Sequence, residues 1–511
     1  MQIGTYIAVF KKMIQFAELE TRNVETGISE GADRSTASLV NELPECYQPI
    51  FGHPELRTEV SRASEDRLSS IIETYDRLSK VTGTPLKVLD LGCAQGFFSL
   101  NLAARGAEVT GIDFLDKNVA VCNALALENP DFKATFQHGQ VEAMIESLND
   151  GEFDLVLGLS VFHHIIHAHG LEATKSLLRK LAKTIDSGIY EFARHDEPLY
   201  WAASQPADTT CLIQDYDFKT ILGNHSTHLS TVKRPFYFVS NRFWITEKIT
   251  GEFSSHLTTP HEYGGLEKQG GPYKGTRTYF IGDKYILKAY DTTHNELGKV
   301  NQENLRREAE VLTEAPSELD LPKIHEYNEF EGGAYLVREC VKGDLLSQVI
   351  ESDKEYEPHI IVMKVLDRLV ELENQGLYHD DLRTWNVVLC PTGAVRLIDF
   401  ASIGPDKKDI TWPHDLMMVA LIFWRQVFDR VVANPVPIMT PLLNVGRLPN
   451  PHREAFAQLF DLPHEERTFG QLKKLIDKNR DVQKENSQTV GNCELMEKME
   501  QGSMILQRLG S

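Results

Sequence analysis

The segment VLDLGCAQGFFSLNLA, residues Val88–Ala103, constrains the fold more than any other part of the 511-residue chain. An apolar run leads into Asp90 and a glycine turn, and a helical pattern follows directly. Such a turn leaves room for a ligand at the carboxyl end of the strand. This strand is predicted at Lys87–Leu91, and further strands are predicted at Glu108–Ile112, Ala134–Gln137 and Asp154–Leu159. Because helical runs alternate with them from about residue 39 to 195, the sequence predicts a parallel α/β sheet flanked by helices.

The strand after the glycine turn ends in Asp113. A carboxylate at this place can accept hydrogen bonds from two ribose hydroxyls. The turn lacks the GxGxxG pattern that cradles a pyrophosphate, and Asp90 would repel phosphates. Since Asp90 suits a cofactor with amine and sulfonium charge, S-adenosylmethionine (SAM) fits this pocket better than NAD. The alternative is a glycine turn in an ordinary βα unit.

This pattern resembles motif I and the following acidic strand end of class I methyltransferases. The resemblance implies that Gly92 and Gly96 line the methionine part of SAM and that Asp113 binds its ribose. It also puts the loop 138–142 near the adenine. The predicted SAM contacts in this half are Asp90, Gly92, Ala94, Gly96, Asp113, Val141, Glu142 and Ser160.

The strand FDLVLGL ends next to Ser160, Phe162, His163 and His164. Ligands bind at the carboxyl ends of strands in open α/β sheets, so these side chains should border the reaction space. Adjacent residues point in different directions, so at most one histidine should meet the acceptor. We predict His163 or His164 as the group that holds an acceptor oxygen or takes its proton. A histidine packed in the pocket wall is an equal alternative.

A second constellation lies in YHDDLRTWNVVLCPTGAVRLIDFAS, residues Tyr378–Ser402. His379 and Asp381 precede Asn386, and Asp399 then opens Asp-Phe-Ala. The spacing resembles the kinase catalytic loop H-R-D-x-x-x-x-N and the metal loop Asp-Phe-Gly. By this resemblance Asp381 orients the acceptor hydroxyl and receives its proton. Asn386 and Asp399 are the predicted ligands of the magnesium ions that bridge the ATP phosphates.

Upstream residues fit the same chemistry. Lys288 interrupts an apolar strand, and a following helix carries Glu308, which could pair with it as in kinases. Glu303 or Glu310 is the second choice, and an exposed lysine on an edge strand is the alternative for Lys288. The stretch around Glu339–Val341 resembles the backbone that binds adenine, so Lys288, Glu339 and Val341 are predicted ATP contacts.

The sequence departs from the kinase pattern in four places, two of which bear on the substrate. The glycine-rich loop lacks GxGxxG, although glycines stand at Gly264, Gly265, Gly270, Gly271 and Gly275. Asp380 replaces the arginine that in many protein kinases meets a phosphorylated activation loop, and no Ala-Pro-Glu follows Asp399 within the usual reach. The replacement of the arginine and the missing Ala-Pro-Glu both fit small-molecule and sugar kinases. Ala401 in place of glycine leaves a degenerate, inactive kinase as an alternative.

Composition and charge disfavour nucleic-acid-binding, disulfide-rich and membrane-spanning proteins. The net charge of −21 disfavours nucleic acid as the main partner, because a polyanion is repelled. The 7 cysteines form no CxxC pair, which indicates reduced thiols. The sequence has no apolar run long enough to span a membrane, and its start does not have the layout of a secretory signal. We therefore expect a cytoplasmic enzyme.

Both halves together resemble the WbdD-like family of bifunctional kinase–methyltransferases, which terminate polymannose O-antigen chains in Gram-negative bacteria. The resemblance covers about 39–465 and includes the segments ELPECYQPIFGHPE, LSVFHHI, EPLYW and HDDLRTWN. It implies that the kinase phosphorylates the terminal sugar hydroxyl of a lipid-linked glycan and that the methyltransferase caps this phosphate. Tyr47 would close over SAM, although an apolar wall explains it equally well.

The family resemblance also implies a glycosyltransferase partner, peripheral contact with the cytoplasmic face of the inner membrane and a C-terminal coiled coil that oligomerises. Here an apolar seam begins at Leu472, Leu475, Ile476 and Val482, and polar residues and glycines interrupt it. A solvated helix is therefore as good an interpretation of this tail as a homo-oligomer seam. The predicted divisions are a flexible extension 1–38, a methyltransferase 39–245, a bilobal α+β kinase-like domain 246–465 and a polar helical tail 466–511.

Two rival functions remain open from the sequence. One is a small-molecule kinase fused to a methyltransferase with a separate substrate. The other is a methyltransferase whose kinase-like half is a scaffold that only binds nucleotide.

Overall fold

The computed structural model describes residues 35–56, 60–62, 64–227, 229–258, 275–293, 295–405, 416–432 and 444–482. The chain divides into two compact units, the first built mainly from residues up to 213 and from 221–238, and the second mainly from residues after 238. Residues 1–34 of the predicted N-terminal extension and four of the five loop glycines, Gly264, Gly265, Gly270 and Gly271, lie outside the described residues. The end of the predicted extension is not flexible, because a helix begins at Thr36.

A seven-stranded sheet forms the centre of the first unit, in the order β3-β2-β1-β4-β5-β7-β6. The strands are β1 Lys87–Leu91, β2 Glu108–Asp113, β3 Lys133–His138, β4 Leu155–Leu159, β5 Ser187–Glu191, β6 Phe218–Thr227 and β7 Ser230–Ser240. The helices are α1 Thr36–Asn41, α2 Glu65–Thr82, α3 Phe97–Ala103, α4 Asp116–Glu128, α5 Val141–Ser147, α6 Phe162–His169 and α7 Leu171–Thr184. The four strands predicted from the sequence are present, with ends that differ by one residue at most.

The strand order places the binding crevice. β1 pairs in parallel with β2 on one side and with β4 on the other, so the chain changes direction across the sheet between β1 and β4. Ligands of open α/β sheets bind at such a switch point, at the carboxyl ends of the strands. β1 and β5 are almost wholly buried, as expected for parallel strands covered by helices on both faces.

The second unit begins with antiparallel sheet structure. A short hairpin, β8 and β9, precedes a five-stranded sheet in the order β10-β11-β12-β14-β13. The strands are β8 Phe243–Ile245, β9 Thr250–Glu252, β10 Ser255–Thr258, β11 Arg277–Ile281, β12 Tyr285–Asp291, β13 Ile324–Phe330 and β14 Gly333–Glu339. Helix α8, Asn295–Glu314, buries Leu305 and Ala309 against Leu336 of β14. The strand around Lys288 and the helix that follows it were predicted from the sequence.

The rest of the second unit is mainly helical and surrounds one large apolar core. Its helices are α9 Leu346–Glu351, α10 Pro358–Asn374, α11 Leu416–Asp429, α12 His452–Asp461 and α13 Phe469–Val482. Its short strands are β15 Asp344–Leu345, β16 Tyr378–His379, β17 Val387–Leu389, β18 Val395–Leu397 and β19 Ile403–Gly404. The two units together confirm the predicted fold class.

Helix α13 differs from the expectation of a solvated helix or an oligomer seam. Leu472 and Ile476 are completely buried in the same core as α10 and α11. Asn479, one of the polar residues that interrupt the predicted seam, accepts a hydrogen bond from Gln458 of α12. The start of the tail is therefore part of the second unit, and the residues after 482 lie outside the described part of the chain.

Among the residues that the structure describes, none of the helices combines the length and the apolar character that a membrane span requires.

Candidate functional site

The turn between β1 and α3 uses three residues in the left-handed backbone region. Gly92, Ala94 and Gly96 have φ angles of +73°, +47° and +73°. A Cβ atom at Gly96 would lie 3.0 Å from the Cys122 sulfur, so a side chain there would be both strained and crowded. The amides of Gly92 and Cys93 donate to the carbonyl of Ile112, which ties the turn to β2. The turn therefore exposes backbone rather than side chains to the crevice.

Asp113 lies at the carboxyl end of β2, as predicted, and holds the turn in place. Its Oδ2 accepts from the amide of Ala94 at 2.9 Å. Its Oδ1 accepts from the amide of Leu115 at 2.9 Å and from Asn118 Nδ2 at 3.0 Å. A carboxylate oxygen can accept two hydrogen bonds, so Oδ2 keeps capacity for a ribose hydroxyl. Burial raises the pKa of Asp113, and these donors limit the rise.

Asp90 is buried at the end of β1 and accepts a hydrogen bond of 2.6 Å from the hydroxyl of Ser99. Burial raises the pKa of Asp90 to about 6. The carboxylate is therefore mostly ionised at neutral pH and can balance a cationic ligand.

The segment ELPECYQPIFGHPE, which contains Tyr47, lies against the same turn. The amide of Gln48 donates to Gln95 Oε1 at 2.9 Å, and Gln48 Oε1 accepts from the amide of Phe97, the first residue of α3. Gln95 Nε2 donates to Asn118 Oδ1 at 2.7 Å. A chain of amide contacts thus links residue 48 to the Asp113 network. It positions the neighbouring Tyr47 at the edge of the crevice.

The loop 138–142 lies beside Asp113, as predicted for the adenine side. The amide of Gly139 donates to the Asp113 carbonyl at 3.0 Å. Val141 is buried at the start of α5, whereas Glu142 is half-buried and faces His169 at 3.5 Å. Val141 therefore offers the apolar contact of this loop.

Ser160, at the end of β4, is the centre of a buried charged cluster that the sequence analysis missed. Its φ is +56°, and its hydroxyl donates to Glu191 Oε1 at 2.7 Å. Arg62 and Arg234 donate to the same hydroxyl oxygen at 2.8 and 3.2 Å. Arg62 also donates to the Tyr47 hydroxyl at 2.8 Å. Two arginines therefore contact Ser160, and one of them, Arg62, also binds Tyr47.

Two buried glutamates hold these arginines. Glu191 binds Arg62 through Oε1 and Arg67 through Oε2, each at 2.5 Å. Glu197 accepts from Arg234 at 2.7 and 2.6 Å through its two oxygens. Burial alone would raise the pKa of Glu191, but Arg62 and Arg67 lower it to about 2. Glu191 therefore stays ionised at neutral pH and holds both arginines in buried ion pairs.

His163 and His164 both lie in the first turn of α6, and the structure separates their environments. The His163 side chain is buried and the His164 side chain is exposed, with ring centroids 4.0 Å apart. The ring of Trp201, from the EPLYW segment, lies 4.6 Å from His163. Among the described residues, buried His163 Nδ1 and Trp201 Nε1 lack hydrogen-bond partners. Burial, His164 and Arg234 lower the pKa of His163 well below its ordinary value, so this ring is neutral at pH 7.

In the second unit, Lys288 lies on β12 between β11 and β14, not on an edge strand. Its Nζ lies 2.5 Å from Glu308 Oε2, and their side chains are only 6% and 2% exposed. The alternative of a solvent-exposed edge lysine is therefore wrong. Of the carboxylates considered, Glu308 makes the contact, whereas Glu303 pairs with Arg306.

The predicted catalytic loop is held by its own side chains. His379 Nε2 donates to the carbonyl of Ile398 at 2.9 Å, and Nδ1 accepts from the amide of Asp381. Asn386 Nδ2 donates to the Asp381 carbonyl at 2.9 Å and to its Oδ2 at 3.0 Å. The Asn386 side chain thus uses its nitrogen within the loop and keeps its oxygen for another partner. Asp381 itself is 38% exposed and accessible to an acceptor.

Arg383 is a site residue that the sequence analysis missed. Its Nε lies 3.1 Å from Asp381 Oδ1, and its side chain is 11% exposed. Its NH1 is buried without a hydrogen-bond partner among the described residues. An arginine two residues after a predicted catalytic carboxylate was the available sequence signal. Its position supplies positive charge beside the predicted catalytic carboxylate.

Asp399 has a φ of +67°, and its Oδ2 accepts from the hydroxyl of Ser402 at 3.0 Å. A backbone hydrogen bond joins this loop to Asn386, because the amide of Ile398 donates to the Asn386 carbonyl at 2.9 Å. The carboxylate–amide pair predicted for magnesium therefore belongs to one bonded loop. Asp380 contacts the same loop through its amide, which donates to the Ser402 carbonyl.

The predicted adenine-binding backbone follows β14. The Cys340 amide donates to the Lys284 carbonyl, and the Glu339 carbonyl accepts from Arg338 NH1 at 2.9 Å. Val341 lies just beyond these bonds. Gly275, of the predicted glycine-rich loop, has a φ of +73°.

Comparisons with known proteins bear on both units of the chain. Residues 88–184 match the family model of a methyltransferase domain. Over 397 residues the chain is 43% identical to the O-antigen chain terminator bifunctional methyltransferase/kinase WbdD of Escherichia coli, covering 76% of this chain and 55% of that protein. The chain therefore spans about half the length of the curated relatives that it matches.

Solved structures of WbdD match nearly the whole chain. A medium-resolution structure is 36% identical with a TM-score of 0.73 and covers 91% of this chain and 99% of its own. A low-resolution structure with an ordered C-terminal bundle is 37% identical with a TM-score of 0.77, covering 93% and 96%. Because sequence and fold agree over both units, the chain belongs to the WbdD family of bifunctional methyltransferase/kinases.

Proposed function

We propose that this chain is a bifunctional enzyme that terminates a polysaccharide. Its kinase unit phosphorylates the terminal sugar hydroxyl of a lipid-linked glycan with ATP, and its methyltransferase unit methylates that phosphate with SAM. The observation that carries the proposal is the presence of two preorganised sites in one chain, the Asp113 turn and the Asp381 loop. The glycan acceptor is supported by the relatives, which are named O-antigen chain terminators.

In the kinase unit, Asp381 orients the sugar hydroxyl and receives its proton. Arg383 and Asn386 each contact one oxygen of this carboxylate, which fixes its direction. Lys288, held by Glu308, binds ATP phosphates, and the backbone at Glu339 and Val341 binds the adenine. Asn386 Oδ1 and Asp399 would hold Mg²⁺, which neutralises charge on the transferred phosphoryl group.

In the methyltransferase unit, the glycine turn and Asp90 receive the methionine part of SAM, Asp113 the ribose and Val141 the adenine. Tyr47 and Ser160 border the crevice through their contacts with Arg62. Arg62 is held by Glu191, so its charge stays beside the crevice.

A phosphate monoester suits this second site. It is largely ionised near pH 7 and is already a nucleophile toward the sulfonium methyl group. Positioning then matters more than a strong general base. The neutral ring of His163 and the indole N–H of Trp201 have unused hydrogen-bonding capacity and can hold phosphate oxygens. His164, exposed beside them, borders the acceptor from the solvent side.

The order of the two reactions is tested with a short oligomannoside and isotopically labelled SAM, with and without ATP. We expect methyl transfer only when ATP is present, or when the oligomannoside already carries a terminal phosphate. Methylation of the unphosphorylated sugar without ATP would support a methyltransferase with a separate substrate.

The Asp381→Asn variant separates the proposal from a nucleotide-binding scaffold. It should not label the plain oligomannoside even with ATP, yet should methylate the phosphorylated one at the wild-type rate. Unchanged capping of glycans in cells by this variant would support the scaffold.

A lipid-linked acceptor implies work at a membrane surface, so we also propose peripheral contact with the membrane that carries the acceptor. Flotation of the full chain with liposomes, with and without the lipid-linked glycan, measures this contact. If the chain floats only with liposomes that carry the glycan, it contacts the acceptor and not the lipid surface itself.

A further inference from the structure

Arg338, the sixth residue of β14, contacts three parts of the proposed ATP site. Its Nε lies 3.1 Å from Glu308 Oε1. Its NH1 donates to the Glu339 carbonyl, in the predicted adenine-binding backbone, at 2.9 Å. Its guanidinium lies 5.1 Å from the ring centroid of Phe400, the residue after Asp399. One side chain thus joins the lysine–glutamate pair, the adenine-binding backbone and the metal loop.

The charges around Glu308 are unbalanced. Lys288 and Arg338 both bind this single carboxylate, one through each oxygen. The three side chains are 6%, 4% and 2% exposed, in the order lysine, arginine, glutamate. Buried charges require partners, so a group of two cations and one anion has a positive charge that can be matched by an anionic ligand. Burial alone would raise the pKa of Glu308, but Lys288 and Arg338 lower it, so the glutamate stays ionised.

We propose that Arg338 is a positioning residue for the phosphates of the nucleotide. Arg338 neutralises Glu308, and the charge of Lys288 is thereby left for the phosphates. Arg338 also stacks on Phe400, the residue after Asp399. This contact keeps Asp399 in the arrangement that the metal needs. The inference rests on the proposed kinase function and adds to it a second cation that acts through Lys288 and Glu308.

A lysine could replace the charge of Arg338 but not its shape. The guanidinium is planar and presents several donors in fixed directions, whereas an ammonium group is a single point of charge. Arg338→Lys should therefore keep the charge excess and lose part of the three-way contact. Arg338→Met removes the charge and keeps an unbranched apolar side chain.

The test measures binding of adenosine, AMP, ADP and ATP to the full chain by isothermal titration calorimetry. For Arg338→Met we expect the dissociation constant of ATP to rise about tenfold or more, since a charge-assisted contact is lost. The constant for adenosine should stay within about twofold, because adenosine carries no phosphate. Arg338→Lys should keep ATP affinity within about threefold of wild type while kcat of phosphorylation falls.

Controls separate a charge effect from a folding defect. Arg396→Met removes a cation that is 30% exposed and pairs with Asp320 in the same unit, and it should leave ATP binding unchanged. SAM binding by each variant reports on the integrity of the rest of the chain.

An equal loss of affinity for adenosine and ATP would overturn the inference in favour of a purely structural role, as would unchanged ATP affinity in Arg338→Met. If the wild-type chain bound adenosine but discriminated against phosphorylated nucleotides, the proposed kinase function itself would fail.

Discussion

Arg62 NH2 lies 2.5 Å from Glu191 Oε1 in the interior of the first unit, and their side chains are 7% and 0% exposed. The two residues are far apart in the sequence and meet beside Ser160. Arg67 binds the second oxygen of the same glutamate. Glu191 is therefore the common anion of two buried arginines.

Glu191→Gln should strongly destabilise the first unit. The variant leaves two buried arginines without their carboxylate, and removal of one partner from a buried pair costs about 3–5 kcal/mol. Denaturant unfolding measures the loss of free energy of unfolding. Glu73→Gln breaks an exposed pair with Arg77 and should change stability by less than about 0.5 kcal/mol. Equal effects of the two variants would contradict the assigned role of Glu191.

The same carboxylate should make stability depend on acid pH. The pKa of Glu191 is about 2 in the folded protein against an ordinary value of 4.5. Because the folded value is the lower one, the contribution is fully present above the ordinary value and is lost as pH falls through about 2. The stability difference between wild type and Glu191→Gln should therefore shrink between pH 5 and pH 2 (roughly the span of the two pKa values). A constant difference over this range would argue against ionisation as its cause.

Methyl transfer should follow the ionisation of the acceptor phosphate and not that of His163. The pKa of His163 is lowered by burial, so the ring stays neutral through the range in which the phosphate gains its second charge, near pH 6. His163→Asn should reduce the rate about 10- to 100-fold through lost positioning and leave the midpoint of the pH–rate profile unchanged. A shifted midpoint would mean that the histidine titrates during the reaction.

Asp381→Asn should lower phosphoryl transfer by about 10²–10⁴-fold, the usual contribution of a positioned general base. Asp380→Asn is the matched control, because Asp380 contacts the loop through its backbone amide. Phosphorylation of an oligomannoside by γ-labelled ATP measures both variants. If the two had equal effects, the proton acceptor would have to be reassigned.

Helix α13 should be needed for the stability of the second unit. Leu472→Ala removes a fully buried side chain from the core and should cost about 2–5 kcal/mol. Lys474→Ala, on the exposed face of the same helix, should change stability by less than about 0.5 kcal/mol. Thermal unfolding of the two variants measures the difference. Similar melting temperatures would mean that the helix packs only weakly.

The parallel sheet could be predicted because its signals are local. Strands such as Lys87–Leu91 are short apolar runs, and the glycine turn follows directly in the sequence. The pair Lys288–Glu308 could also be predicted, since a charge inside an apolar strand needs a partner and α8 carries several carboxylates. The same rule applied to Arg338 would have marked a second buried cation.

The cluster around Ser160 could not be derived in the same way. Arg67 lies in α2, and Arg62 lies just before that helix. Glu191 ends β5, Glu197 lies in the loop after β5, and Arg234 lies in β7. Periodicity cannot identify partners that are separated by more than a hundred residues. One signal was available, since Glu191 is the last residue of β5 and Ser160 directly follows β4. Helix α13 was misjudged because its buried residues are few and its polar residues many.

The three hydrogen bonds that the Asp113 carboxylate accepts from the rest of the chain have a consequence for engineering. The residue proposed to recognise the ribose also fixes the turn that forms the pocket. A change at this position would alter specificity and foldability together, so directed evolution toward SAM analogues should rarely retain one. Diversity should instead accumulate at Val141, whose side chain contributes apolar contact and no hydrogen bond.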